Sequence, residues 1–133
     1  MKTTAHIEIP DQRIADVLIT AFEGGVNYWC MIDSYREPEE GMMRHFDGSA
    51  HGIVRYCDYP LSPGGAVLIR TNENDEINGK NRWVLNTEAL ERGLGLLAEK
   101  FPRQFAQIVD EEDDAATADL FLQLCCFGEE VFS

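Results

Sequence analysis

The chain has 133 residues and a mass of 15.0 kDa, the size of one compact domain and too short for two ordinary ones. With 44% hydrophobic and 26% charged residues it can bury a core, which excludes a chain disordered by composition. Eleven Lys and Arg stand against 24 Asp and Glu, a net charge of -13 that repels phosphate backbones and anionic lipid heads. This charge disfavours a general binder of nucleic acid or membrane surfaces, and a basic partner, or none, fits better.

Residues 3–9 alternate β-branched and polar side chains and predict a short strand ended by Pro10. A helix follows, with Asp11 as N-cap and Ile14, Val17, Leu18, Ala21 and Phe22 spaced to lie on one buried face. Gly24 and Gly25 end it. Residues 26–32 (VNYWCMI) predict a strand apolar on both faces, and residues 33–48 an exposed polar connection. Three further strands are predicted at 53–59, 66–71 and 82–86, with an SPGG turn at 62–65 between the first two.

Asn78-Gly79 is a strong hairpin dipeptide, but a turn centred there would pair Leu68 with Ala89, inside the next helix. Pairing 67–69 with 83–85 requires a long polar loop over 72–80, with Asn78-Gly79 as a subsidiary turn or bulge. Asn86 or Thr87 caps a long helix whose stripe is Leu90, Leu94, Leu97, Ala98 and Phe101, with Glu88, Glu91, Arg92 and Glu99 opposite. Pro102 opens a second helix to about Val109. A third starts after Asp113 or Asp114 and presents Phe121, Leu124, Cys125 and Gly128 on one face. The expected fold class is α+β, a single domain over 1–133 with an antiparallel sheet of four to five strands packed by three to four helices.

No run approaches the roughly 20 apolar residues of a membrane span, and the first residues lack a signal-peptide pattern, so a soluble cytosolic protein is expected. Cys30, Cys57, Cys125 and Cys126 form no CxxC pair or disulfide framework and are expected as reduced, structural thiols. His6, His45, His51 and Cys57 lack metal-ligand spacing, so no metal or other cofactor is expected. Neither Ser49 with His51 nor Cys57 with a distant His sits in a nucleophile elbow, and GxGxxG and GK[ST] elements are missing. No catalytic residues are assigned.

Two features carry the functional expectation. The first is the run Asp110, Glu111, Glu112, Asp113, Asp114, followed by Asp119, Glu129 and Glu130. These eight acids fall in the last 30 residues, which hold no Lys or Arg, whereas the first 103 residues carry 16 acids and 11 bases. One account is structural: acids ahead of a helix favour its N-terminal dipole, and solvated carboxylates cost little. The other is a surface that imitates the phosphates of DNA, about one charge per 1.7 Å of duplex axis, and occupies the nucleic-acid site of a basic partner. The second feature is Gly24, Gly25, Asn27, Tyr28 and Trp29, which either line a ligand pocket or supply a helix stop followed by core aromatics.

The segments ADVLITAFEGGVNYW, WVLNTEALERGLGLLAEKFP and DDAATADLFLQLCCFGEEVF together resemble small uncharacterised proteins encoded by phages, prophages and mobile elements. The EGGxNYW segment and the acidic-then-FLQ ending are the distinctive parts, and residues 38–60 show no clear correspondence. The family has no established activity, so the resemblance implies a source and a similar fold and transfers no catalytic residue.

By analogy, small acidic phage proteins include inhibitors of host defence nucleases, anti-CRISPR proteins among them. The expectation is therefore a non-enzymatic phage-type inhibitor in the host cytoplasm. It would bind a basic host protein that handles nucleic acid, with no direct nucleic acid and no membrane, and a homodimer is left open. The alternative is a module or sponge for a nucleotide signal, with its pocket near GGVNYW and anion contacts from Arg55, Arg70 and Arg82.

Overall fold

Pro10, with φ at -56°, is the N-cap of α1 (Asp11–Thr20), so Asp11 is the first helical residue and not the cap. All five residues of the expected stripe, Ile14, Val17, Leu18, Ala21 and Phe22, are buried. The helix widens into a π-type turn, Ala21–Gly25, in which Val26 N–H donates to the Ala21 carbonyl at 3.0 Å. Gly25 is needed there. A Cβ would stand 3.0 Å from the Ala115 carbonyl oxygen, so the glycine lets the end of α1 approach the start of α4.

The computed structural model describes residues 1–3, 5–46 and 56–133, and over these the chain is α+β. Four helices, counting α1, accompany an open three-stranded antiparallel sheet of order β1-β2-β3, with the helices Thr87–Lys100 and Ala115–Phe127 packed on its third strand and the other two packed on the helices. The strands are β1 (Cys30–Arg36), β2 (Ala66–Thr71) and β3 (Arg82–Leu85). Val67 pairs with Leu85, Leu68 with Val84 and Ile69 with Trp83, which is the register predicted from the loop argument. Asn78 and Gly79, at φ 52° and 78°, form the subsidiary turn between Ile77 and Lys80, whose N–H and C=O groups exchange hydrogen bonds of 2.7 and 3.1 Å.

Among the described residues the sheet has three strands where four to five were expected. Residues 5–9 are irregular and mostly exposed, because alternation without a neighbouring strand gives the backbone no ladder partners. Of the strand expected at 53–59, residues 53–55 lie outside the described ones and 56–59 are turn. The strand expected at 26–32 instead starts at Cys30 and runs to Arg36, so Asn27, Tyr28 and Trp29 are turn and Asp33 to Arg36 are not loop. The physical reason is burial on one face only. Cys30, Ile32 and Tyr35 face the core opposite Thr71, Ile69 and Val67, so DSYR fits an edge strand with its other side in water. A bulge at Asp33 shifts the alternation by one residue.

The remaining helices are α2 (Thr87–Lys100), α3 (Pro102–Val109) and α4 (Ala115–Phe127). Asn86 caps α2, its side chain accepting from Ala89 N–H at 3.0 Å. The α2 stripe is turned from the expected one. Ala89, Leu90, Gly93 and Leu97 are buried, whereas Leu94 is half-buried beside the irregular N-terminal segment. Gly93 sets this rotation: a Cβ there would fall 2.3 Å from Cys125 Sγ, so α2 and α4 touch backbone to backbone. Nor is α4 amphipathic. Eight of its residues, Thr117, Ala118 and Leu120 to Cys125, are buried, making it the central helix against which α1, α2, α3 and β3 pack.

Candidate protein-binding surface

The acidic run divides at one peptide bond. Asp110, Glu111 and Glu112 do not precede α4; they terminate α3. Glu111 adopts the left-handed conformation, φ 59°, its N–H donating to the Ile108 carbonyl at 3.3 Å while Glu112 N–H donates to the Gln107 carbonyl at 2.8 Å. These two bonds make a Schellman cap, in which the left-handed position is normally glycine. The negative end of the α3 dipole thus carries three exposed carboxylates, and one of them sits in a backbone conformation that a side chain disfavours.

Asp113 and Asp114 do the opposite. Asp113, its side chain 9% exposed, receives Arg13 Nη2 at 2.8 Å. The same guanidinium donates Nε and Nη2 to the Ile108 carbonyl at 3.2 and 2.8 Å, so α1 supplies the cation that the end of α3 requires. Glu111 lies at the rim of that cation, 3.8 Å from Arg13 Nε. Asp114 is the N-cap of α4, accepting from Thr117 N–H at 2.9 Å, and this bond holds its carboxyl below the usual aspartate range.

Asp119 also has a structural role, and it joins the two features singled out in the sequence. It accepts from Tyr28 Oη at 2.5 Å, Trp29 Nε1 at 2.8 Å and Gln123 Nε2 at 3.0 Å. Burial raises the Tyr28 hydroxyl pKa, as do the bond to Asp119 and the charges of Asp119 and Glu130. Trp29 is 2% exposed, its ring stacked on Phe132 at 5.3 Å and tilted against Phe127 at 5.1 Å. Gly25 is packed on Ala115, and the Asn27 carbonyl accepts from Asn72 Nδ2 at 2.9 Å. Of the segment Gly24 to Trp29, Tyr28 offers a large exposed ring. Grooves of about 640 and 610 Å³ lie elsewhere, between the N-terminal segment and Leu94 of α2.

Glu129 and Glu130 follow the opposite end of α4 from the acidic run, with Glu130 close enough to Tyr28 for its charge to act on that hydroxyl. Gly128, left-handed at φ 75°, ends α4 and turns the chain back. The fully buried Gln123 then fixes it: Val131 and Phe132 N–H both donate to Gln123 Oε1 at 2.8 Å, and Gln123 Nε2 donates to the Phe132 carbonyl at 3.0 Å. Every polar atom of that amide is used, as burial demands. The eight acids of the sequence therefore separate into three that hold structure, Asp113, Asp119 and the exposed Asp114, and five further exposed ones, Asp110, Glu111, Glu112, Glu129 and Glu130.

Sequence reasoning missed Arg13 and Gln123. A glutamine inside LFLQLCCF signals a buried amide that must find partners, whereas nothing local to Arg13 says which acids it meets. Burial pushes the thiols of Cys30 and Cys125 well up and that of Cys126 up to about 12, so none of these three is a poised thiolate. Among the described residues no three His, Cys, Asp or Glu side chains gather as metal ligands, and no helix is long and apolar enough to cross a membrane. Ser49, His51 and Arg55 lie outside the described residues. No protein-family model matches the chain, and neither a curated protein nor a solved structure does.

Proposed function

We propose that the protein is a non-enzymatic, phage-type inhibitor. It binds a basic host protein that handles nucleic acid, such as a defence nuclease, in the host cytoplasm, and its carboxylates take the place of phosphates. One observation carries this reading: Asp110, Glu111 and Glu112 are exposed on the negative end of α3, with Glu111 left-handed, against the local preferences of dipole and backbone and with only Glu111 near a cation, 3.8 Å from Arg13 Nε. Side chains kept against local preference belong to function more often than to folding. The carboxylates are also held on fixed backbone, by the Arg13 contact at the turn and the Gln123 clamp on the tail, so little ordering entropy is lost on binding. A net charge of -13 steers a basic partner toward them. The nucleotide-sponge reading has less support, because Phe132 and Phe127 already occupy the ring of Trp29.

The test is capture from a defence-bearing bacterial lysate by the immobilised protein, with duplex DNA as competitor. Basic proteins should be retained, released by salt and displaced by the duplex. Neutralising Asp110, Glu111, Glu112, Glu129 and Glu130 to their amides should abolish retention. Retention that survives the five substitutions, or that excess duplex leaves untouched, contradicts the proposal.

A further inference from the structure

The outer face of the sheet, turned away from the helices, has a composition unlike the rest of this acidic chain. Cross-strand neighbours Arg70 and Arg82 both project there, their Nε atoms 3.4 and 3.6 Å from the bulge residue Asp33, and Arg36 stands at the far end of β1. Between them lie Met31, Leu68 and Val84: Leu68 and Val84 are directly paired, and Met31 and Val84 are 43% and 40% exposed. None of these three packs into the core. Two arginines that share the single carboxylate of Asp33 beside an apolar centre leave a net positive, partly apolar patch, the complement of an acidic protrusion.

Such a protrusion exists on the same chain. The turn of Asp110, Glu111 and Glu112 is exposed and sits at the α1–α3 junction, in the helical layer and hence on the opposite side from the outer sheet face. It cannot reach its own sheet. We infer that the outer sheet face is a docking surface for the acidic turn of a second copy of this chain, giving head-to-tail association. The two patches differ, so the contact is heterologous and propagates into a chain or ring instead of closing as a two-fold dimer. Repulsion between two net-negative copies is screened beyond about 8 Å at physiological ionic strength, whereas the guanidinium–carboxylate contacts form inside that distance. The inference is independent of which host protein the acidic surface engages, and it adds that association would cover that surface.

Light-scattering mass measurement behind size exclusion tests it. The full chain should exceed 15.0 kDa increasingly as concentration rises from micromolar to millimolar. Arg70→Ala/Arg82→Ala removes the face and Asp110→Asn/Glu111→Gln/Glu112→Gln removes the protrusion, so each folded variant should remain a single chain. Mixed in equal amounts they should form a species of two chains and no larger, because each supplies one half of one contact. Met31→Asp gives a second way to disable the face without touching an ion pair. A wild-type mass of one chain throughout overturns the inference, as does undiminished association of the face variants or growth of the mixture beyond two chains.

Discussion

Asp110 to Glu112 and Asp113 to Asp114 are adjacent in sequence and identical in charge type, yet they do opposite work. The first three load the negative end of a helix and include a glutamate in a conformation that suits glycine, whereas the last two satisfy Arg13 and the first turn of α4. The difference teaches that charge in a run is not one property. Its meaning depends on which helix end each carboxylate faces, and only the group that opposes its dipole is left for a role outside the fold.

The comparison predicts effects of opposite sign. The largest should come from Arg13→Ala, which strands the nearly buried Asp113 carboxylate and leaves the Ile108 carbonyl to a single N–H. A loss of about 3 kcal/mol by chemical denaturation is expected, and a change within experimental error would remove the distinction between the halves.

Asp114→Ala should cost about 1 kcal/mol through the lost cap, while Asp114→Asn keeps an N-cap acceptor and should cost little near neutrality. The pH dependence has a definite sign. Because the folded-state pKa of Asp114 is lowered, its ionisation contributes stability above the unfolded aspartate value of 3.8, and that contribution fades as pH falls through the lower folded value. The gap between wild type and Asp114→Asn should therefore close in acid.

Glu111→Gly should stabilise the protein by about 0.5 kcal/mol, since relief of the left-handed penalty exceeds the extra unfolded-state entropy of glycine. Destabilisation there would contradict the claim that Glu111 is retained against the fold. Smallest of all, Asp110→Asn and Glu112→Gln should each raise stability by roughly 0.3 kcal/mol as a repelling charge leaves the end of α3, an effect that salt should diminish.

Much of the architecture was legible because it rests on local rules. The α1 stripe, the α2 and α4 caps to within one residue (Asn86 or Thr87, Asp113 or Asp114), the β2–β3 register and the Asn78-Gly79 turn each follow from spacing or from one residue's conformational preference. What was illegible depends on tertiary contact. Leu94 has the same spacing as Leu90 and Leu97, yet Gly93 admits Cys125 and rotates α2 so that Leu94 is half-buried. Tyr28 and Trp29 read as strand residues until the π-type turn and the tail, fixed by Gln123, place them against Asp119 and Phe132. The acids were visible as a group, but their division was not: the end of α3 and the start of α4 fall within one five-residue run, and the cation that separates them comes from α1, 100 residues away.

The proposed function requires that the exposed carboxylates at the end of α3 serve binding at the expense of stability. Its most direct test is lysate capture by Asp110→Asn/Glu111→Gln/Glu112→Gln, with the thermal midpoint of the same preparation recorded to confirm the fold. The expected result is a midpoint at or above that of the wild type together with loss of the retained proteins that duplex DNA displaces. A variant that holds those proteins as firmly as the wild type would contradict it.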